Sequence, residues 1–145
     1  MSYNLEYFPY VIISFHETLN KDEDFYDFTN QWLQLYHYQT PFILIFDTLK
    51  LKDVSFKYCF YMSAFIKQIR KQPIQYLQKS YIIIQNKHLI NLLDIIFYLQ
   101  PPVADVYIIK QSLPTILNQQ VITQFLEKVE IIKKIDTKKP FLPFL

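Results

Sequence analysis

The chain has 145 residues, of which 51% are apolar and 18% aromatic, and its net charge is +2. That is enough for one domain with a buried core, too apolar for disorder, and too evenly charged for the basic footprint of a nucleic-acid binder. Glycine is absent, which excludes a P-loop, a dinucleotide fingerprint, a nucleophile elbow and a calcium-binding loop, since each needs φ > 0 or a bare backbone against its ligand.

In chain order, Tyr10–Phe15 (YVIISF) is a β-branched and aromatic run that predicts a strand. Phe25, Phe28, Trp32 and Leu35 then fall on one helical face behind Asp22, Glu23 and Asp24, acids that suit a helix N-terminus. Thr40-Pro41 breaks that helix. Phe42–Phe46 (FILIF) is a second strand, continuously apolar as a strand covered on both faces would be, and Asp47 ends it. A second helix is predicted from about Ser55 to Lys71, with Cys59, Met62, Ile66 and Ile69 inward and Ser55 or Asp53 as cap. Tyr81–Ile84 is a third strand, followed by an Asn86-capped helix over His88–Leu99. Val106–Ile109 is a fourth. Ser112 and Pro114 suggest the start of a last helix that turns Leu113, Ile116, Leu117 and Phe125 inward.

Four strands alternating with four helices predict an α/β fold, with a four- to five-stranded, mostly parallel sheet. Leu5–Phe8 is the candidate for an extra edge strand. Residues 1–130 form the expected domain. Residues 131–145 form a tail, basic at Lys133, Lys134, Lys138 and Lys139 and apolar over Pro140–Leu145.

This order, with Phe42–Asp47 as a strand ending in aspartate and Lys52-Asp53-Val54-Ser55 in the following loop, resembles a STAS domain of the anti-sigma-factor-antagonist type over roughly residues 5–125. The resemblance implies a protein-binding domain regulated at the serine, which makes Ser55 the candidate phosphosite. Phe56-Lys57 stands where that family carries small residues. Phe46-Asp47 and Ile84-Gln85-Asn86 also resemble features of the CRAL-TRIO lipid-binding domain, a longer family with extra N-terminal helices. That likeness implies a carrier of lipid or another apolar ligand.

Chemistry is sparse. Glu17, Asp47, Asn86 and Lys110 follow the predicted strands, where open α/β sheets gather ligands. A Mg²⁺-dependent phosphoacceptor using Glu17 and Asp47 is therefore a third reading, though strands end at polar residues in any such fold. His16, His37 and His88 lack ligand spacing, and Cys59 reads as a small core residue. No catalytic residue, cofactor or metal is expected. One cysteine precludes an internal disulfide. The start MSYNLEYF resembles neither a secretory signal nor a transit peptide, and no apolar run is long enough to span a membrane. The cytoplasm or another reducing compartment is expected, with mitochondria reached by a non-obvious signal as the alternative.

The sequence therefore points to a non-catalytic module that binds protein, as a small subunit or adaptor of a larger assembly. Its expected contact residues are Asp47, Lys52, Asp53 and Ser55 in the loop, and Phe141, Leu142, Phe144 and Leu145 in the tail. Tyr58, Tyr61, Tyr76, Tyr98 and Tyr107 are more tyrosines than a core of this size needs.

Overall fold

The computed structural model describes residues 1–138. Four parallel strands, β2 (Tyr10–Ser14), β4 (Phe42–Asp47), β6 (Leu77–Ile83) and β7 (Asp105–Ile109), lie side by side in sequence order. Short antiparallel strands flank them: β1 (Ser2–Asn4) pairs with β2, and β8 (Lys133–Ile135) with β7. The fold is thus α/β with a mostly parallel sheet, but six strands replace the four or five expected. Leu5–Phe8 is a turn closed by Phe8 N–H donating to the Leu5 carbonyl. The second added strand comes from the basic segment after residue 130, whose backbone completes the sheet. Both edges are only three residues long, and β8 carries two lysines, features that discourage further strand addition.

Sequential strand order with crossovers of constant hand places successive helices on one face. Accordingly α1 (Asp22–Leu35), α2 (Lys57–Ile69) and α3 (Lys87–Leu99) share a core with Val11, Ile13, Leu44, Phe46, Ile82, Val106 and Ile108. The alternate positions Ile12, Ile45, Tyr81, Ile83 and Ile109 pack on the other face against α4 (Gln119–Lys128). β4 is covered on both faces, which is why it reads as an unbroken apolar run.

The two best-capped helices are α3, where Asn86 Oδ1 accepts from His88 N–H at 2.9 Å, and α4, where Asn118 Oδ1 accepts from Val121 N–H at 2.8 Å. The cap of the last helix therefore lies six residues after Ser112. Pro114 disfavours the helical region for Leu113, and the chain stays non-helical until Asn118 offers a cap. Leu113, Leu117 and Phe125 are half-buried against the second core, but Ile116 is 83% exposed.

Neither Ser55 nor Asp53 caps α2. Its N-cap is Phe56, already helical at φ −56° and ψ −31°, with no side-chain hydrogen bond. Asn86→Ala and Asn118→Ala should each cost about 1 kcal/mol, and Ser55→Ala no more than about 0.5 kcal/mol. Urea denaturation of the three variants checks the difference.

Candidate functional site

The loop between β4 and α2 is held by a small second sheet. In it β3 (Thr18–Leu19) runs parallel to β5 (Asp53–Val54). Lys52 and Asp53 N–H both donate to the Glu17 carbonyl, at 2.8 and 3.2 Å, and Ser55 N–H donates to the Leu19 carbonyl at 3.3 Å. The loop therefore leaves the sheet in a defined path. Lys52 and Asp53 are exposed along it, and Ser55 is half-buried.

The residues expected at the strand ends are brought to one edge, but each has a structural job. Asp47 Oδ1 accepts from Leu49 N–H at 3.1 Å, closing the turn that follows β4. Glu17 anchors the loop through its carbonyl, Asn86 caps α3, and the Lys110 carbonyl accepts from Gln85 Nε2 at 3.0 Å. Among the described residues, no group of three or more His, Cys, Asp and Glu side chains is placed to hold a metal ion. Phe141, Leu142, Phe144 and Leu145 lie outside the described residues.

The start of α2 carries a feature that sequence reading missed. Phe56 and Phe60, four residues apart, make an edge-to-face pair with centroids 5.6 Å apart, yet remain 52% and 50% exposed. Tyr61 on the same helix and Tyr26 on α1 are exposed as well. The signal was available: Phe56 and Phe60 fall opposite the stripe of Cys59, Ile66 and Ile69, which is buried. The two rings thus form an exposed apolar patch on a helix that already turns another stripe to the core. The five singled-out tyrosines divide: Tyr58 is buried, Tyr61 and Tyr98 are exposed, and Tyr76 and Tyr107 are half-buried.

Below this pair, α1 and α2 are locked together. Tyr58 stacks on Phe25 at 5.3 Å, its hydroxyl donates to Asp22 Oδ1 at 2.8 Å, and Lys57 Nζ lies 2.9 Å from the same oxygen. The hydrogen bond from Lys57 and then that from Tyr58 hold the Asp22 carboxyl below its ordinary range. Desolvation, followed by the hydrogen bond to Asp22, raises the Tyr58 phenol. A carboxylate depressed in the fold contributes stability that is present above its unfolded pKa and lost as pH falls through the folded one. Asp22→Asn should therefore flatten the decline in melting temperature below the ordinary carboxylate range, read by thermal melts at stepped acid pH.

The inner core leaves an apolar cavity of about 150 Å³ between the sheet and α1–α3, lined by residues including Trp32, Cys59, Leu92 and the buried Ser80. Burial raises the Cys59 thiol above its ordinary pKa, so it is a poor nucleophile. A ring-sized molecule would fill such a space, whereas ligand pockets usually run to roughly 300–1,000 Å³. No helix among the described residues is long and apolar enough to cross a membrane. No protein-family model, no curated protein and no solved structure matches this chain.

Proposed function

We propose that this chain is a non-catalytic, STAS-like module that binds protein through one surface, formed by the Asp47–Ser55 loop and the outward side of α2. The observation that carries this reading is the half-exposed Phe56–Phe60 pair on a rigid, aromatic-backed helix. Aromatic anchors surrounded by polar residues are what interface centres are made of, and an exposed pair of this kind has a standing cost in water that a partner removes. Lys52 and Asp53 supply the polar rim. Ser55, immediately before Phe56, is where a phosphate would add charge to that rim and change the partner it accepts.

The interior weighs toward the surface reading over a carrier, because the cavity has room for a ring but not for a lipid chain. At the strand ends the Asp47 and Asn86 side chains hold a turn and a helix cap, which weighs against a phosphoacceptor at Asp47, while Glu17 and Lys110 contribute backbone carbonyls alone.

The test is recovery of partners from native cells by the tagged full chain beside a Phe56→Ser/Phe60→Ser variant. Any stoichiometric partner, another protein or a second copy, should be lost at least tenfold in the variant while far-UV circular dichroism stays unchanged. A partner retained at full yield would remove this surface from consideration.

A further inference from the structure

The outward side of α2 has an internal symmetry that names a partner. Within α2, Phe60, Ser63, Ala64 and Lys67 fall within about 100° of arc at 100° per residue; Phe56 stands at its N-cap and Lys71 in the turn beyond its end, and all six but the half-buried Ser63 are exposed. Phe56 and Lys71 are equidistant from the midpoint between Ser63 and Ala64, and so are Phe60 and Lys67. One half of the stripe is therefore aromatic, the other cationic, and the waist between them is small. From Lys57 to Lys71 there is no acidic residue.

We infer that this stripe docks a second copy of the chain, α2 against α2 in antiparallel register about a two-fold axis at Ser63/Ala64. This rests on the protein-binding reading of the same surface and specifies its occupant. A two-fold axis requires a self-complementary patch. Antiparallel pairing sets Phe60 against the partner's Lys67, so the ammonium meets a ring and the ring is shielded from water, and it brings Phe56 to the end of the partner helix that Lys71 follows. Parallel pairing would set lysine on lysine. The small side chains at the axis let the two backbones approach, as close helix crossings require. Tyr61 and Tyr26 widen the aromatic end.

One helix pair buries less than the roughly 1,600 Å² of a standard interface, so the dimer is weak, with a dissociation constant on the order of 10 µM. Sedimentation equilibrium of the full chain from low to high micromolar concentration should show a monomer–dimer transition. Phe60→Lys, which places lysine against Lys67, should weaken association at least tenfold. The double variant Phe60→Lys/Lys67→Glu should restore it, because each introduced lysine then faces a glutamate across the axis. Circular dichroism of each variant should match the parent, the changed side chains being exposed.

A chain that is monomeric throughout that range overturns the inference, as does a dimer indifferent to Phe60→Lys or not rescued by the double variant. The two failures can be told apart. A monomer whose Phe56→Ser/Phe60→Ser variant still loses a different protein keeps the binding surface and discards the second copy as its occupant. A monomer with no such loss discards both.

Discussion

Trp32→Ala is expected to lower the free energy of unfolding by about 3–5 kcal/mol, whereas Trp32→Phe should cost no more than about 1–2 kcal/mol. The indole is 4% exposed and sits among three rings, Phe28 at 5.9 Å, Phe46 at 5.6 Å and Phe65 at 5.2 Å, so it joins α1 to both β4 and α2. It also lines the inner cavity of about 150 Å³. Truncation to alanine would enlarge a void that is already present, at about 24 cal/mol for each added Å³ beyond the lost transfer energy. Phenylalanine keeps a ring in the cluster. It also removes Nε1, which is buried and makes no well-formed hydrogen bond, the Tyr36 hydroxyl being the polar group beside it, so little is lost with it. Urea titration followed by far-UV circular dichroism reads both variants, since the chain's single tryptophan cannot report on its own removal. Equal losses for the two substitutions would show that the indole N–H contributes a bond after all.

The second large effect is expected at Ile122, where alanine should cost about 2–5 kcal/mol. The helical face of the sheet is covered by α1, α2 and α3, but the other core cluster of described residues draws its helical side chains from α4. Ile122 is fully buried at the centre of that contact, over Ile12, Ile45, Ile83 and Ile109. Leu126 and the half-buried Phe125 flank it in the same cluster, and the other ties of α4 are polar and peripheral: Tyr10 and Thr123 hydroxyls 2.5 Å apart, and Gln119 Nε2 donating to the Phe8 carbonyl. Losing the central side chain should therefore loosen α4 ahead of the rest. Hydrogen exchange of the α4 amides should rise more than that of β4 in the variant. Equal acceleration of both would mean that the two faces unfold as one unit.

Parts of this architecture were legible because they depend on local chemistry. The run Phe42–Phe46 had to be a strand covered on both faces, since β-branched and aromatic residues without alternation have no solvent side to offer. Asn86 had to cap α3, because its side chain reaches an N–H two residues on, whatever the rest of the chain does. Proline was a poorer guide: α1 gives way at Leu35 to a 3-10 turn over Tyr36–Tyr38 that closes at Gln39 with φ 51°, before Pro41, and α2 ends at Ile69, short of Pro73. The strand edges were less legible. β1 and β8 have three residues each and little β propensity, and they exist because β2 and β7 present unpaired edges to them. Ser55 illustrates the opposite failure. It has the right chemistry for a cap, but β3 claims its backbone N–H and draws the loop past the capping position.

For the proposed surface, sequence offered the loop as a candidate but not the pair beside it. Aspartate, lysine and serine after a strand are visible as the polar residues that end a strand in any α/β chain. Phe56 and Phe60 carry no such mark, since an aromatic residue declares its hydrophobicity and not its direction. By itself the sequence determined the class of fold, the four parallel strands, the inward stripe of each of the first three helices and the absence of glycine-dependent chemistry, all consequences of side-chain type and period. Tertiary structure decided which apolar residues remain outside, how the two edges close and that Asp47 serves a turn, because those outcomes depend on which surfaces meet, and composition and period leave that open.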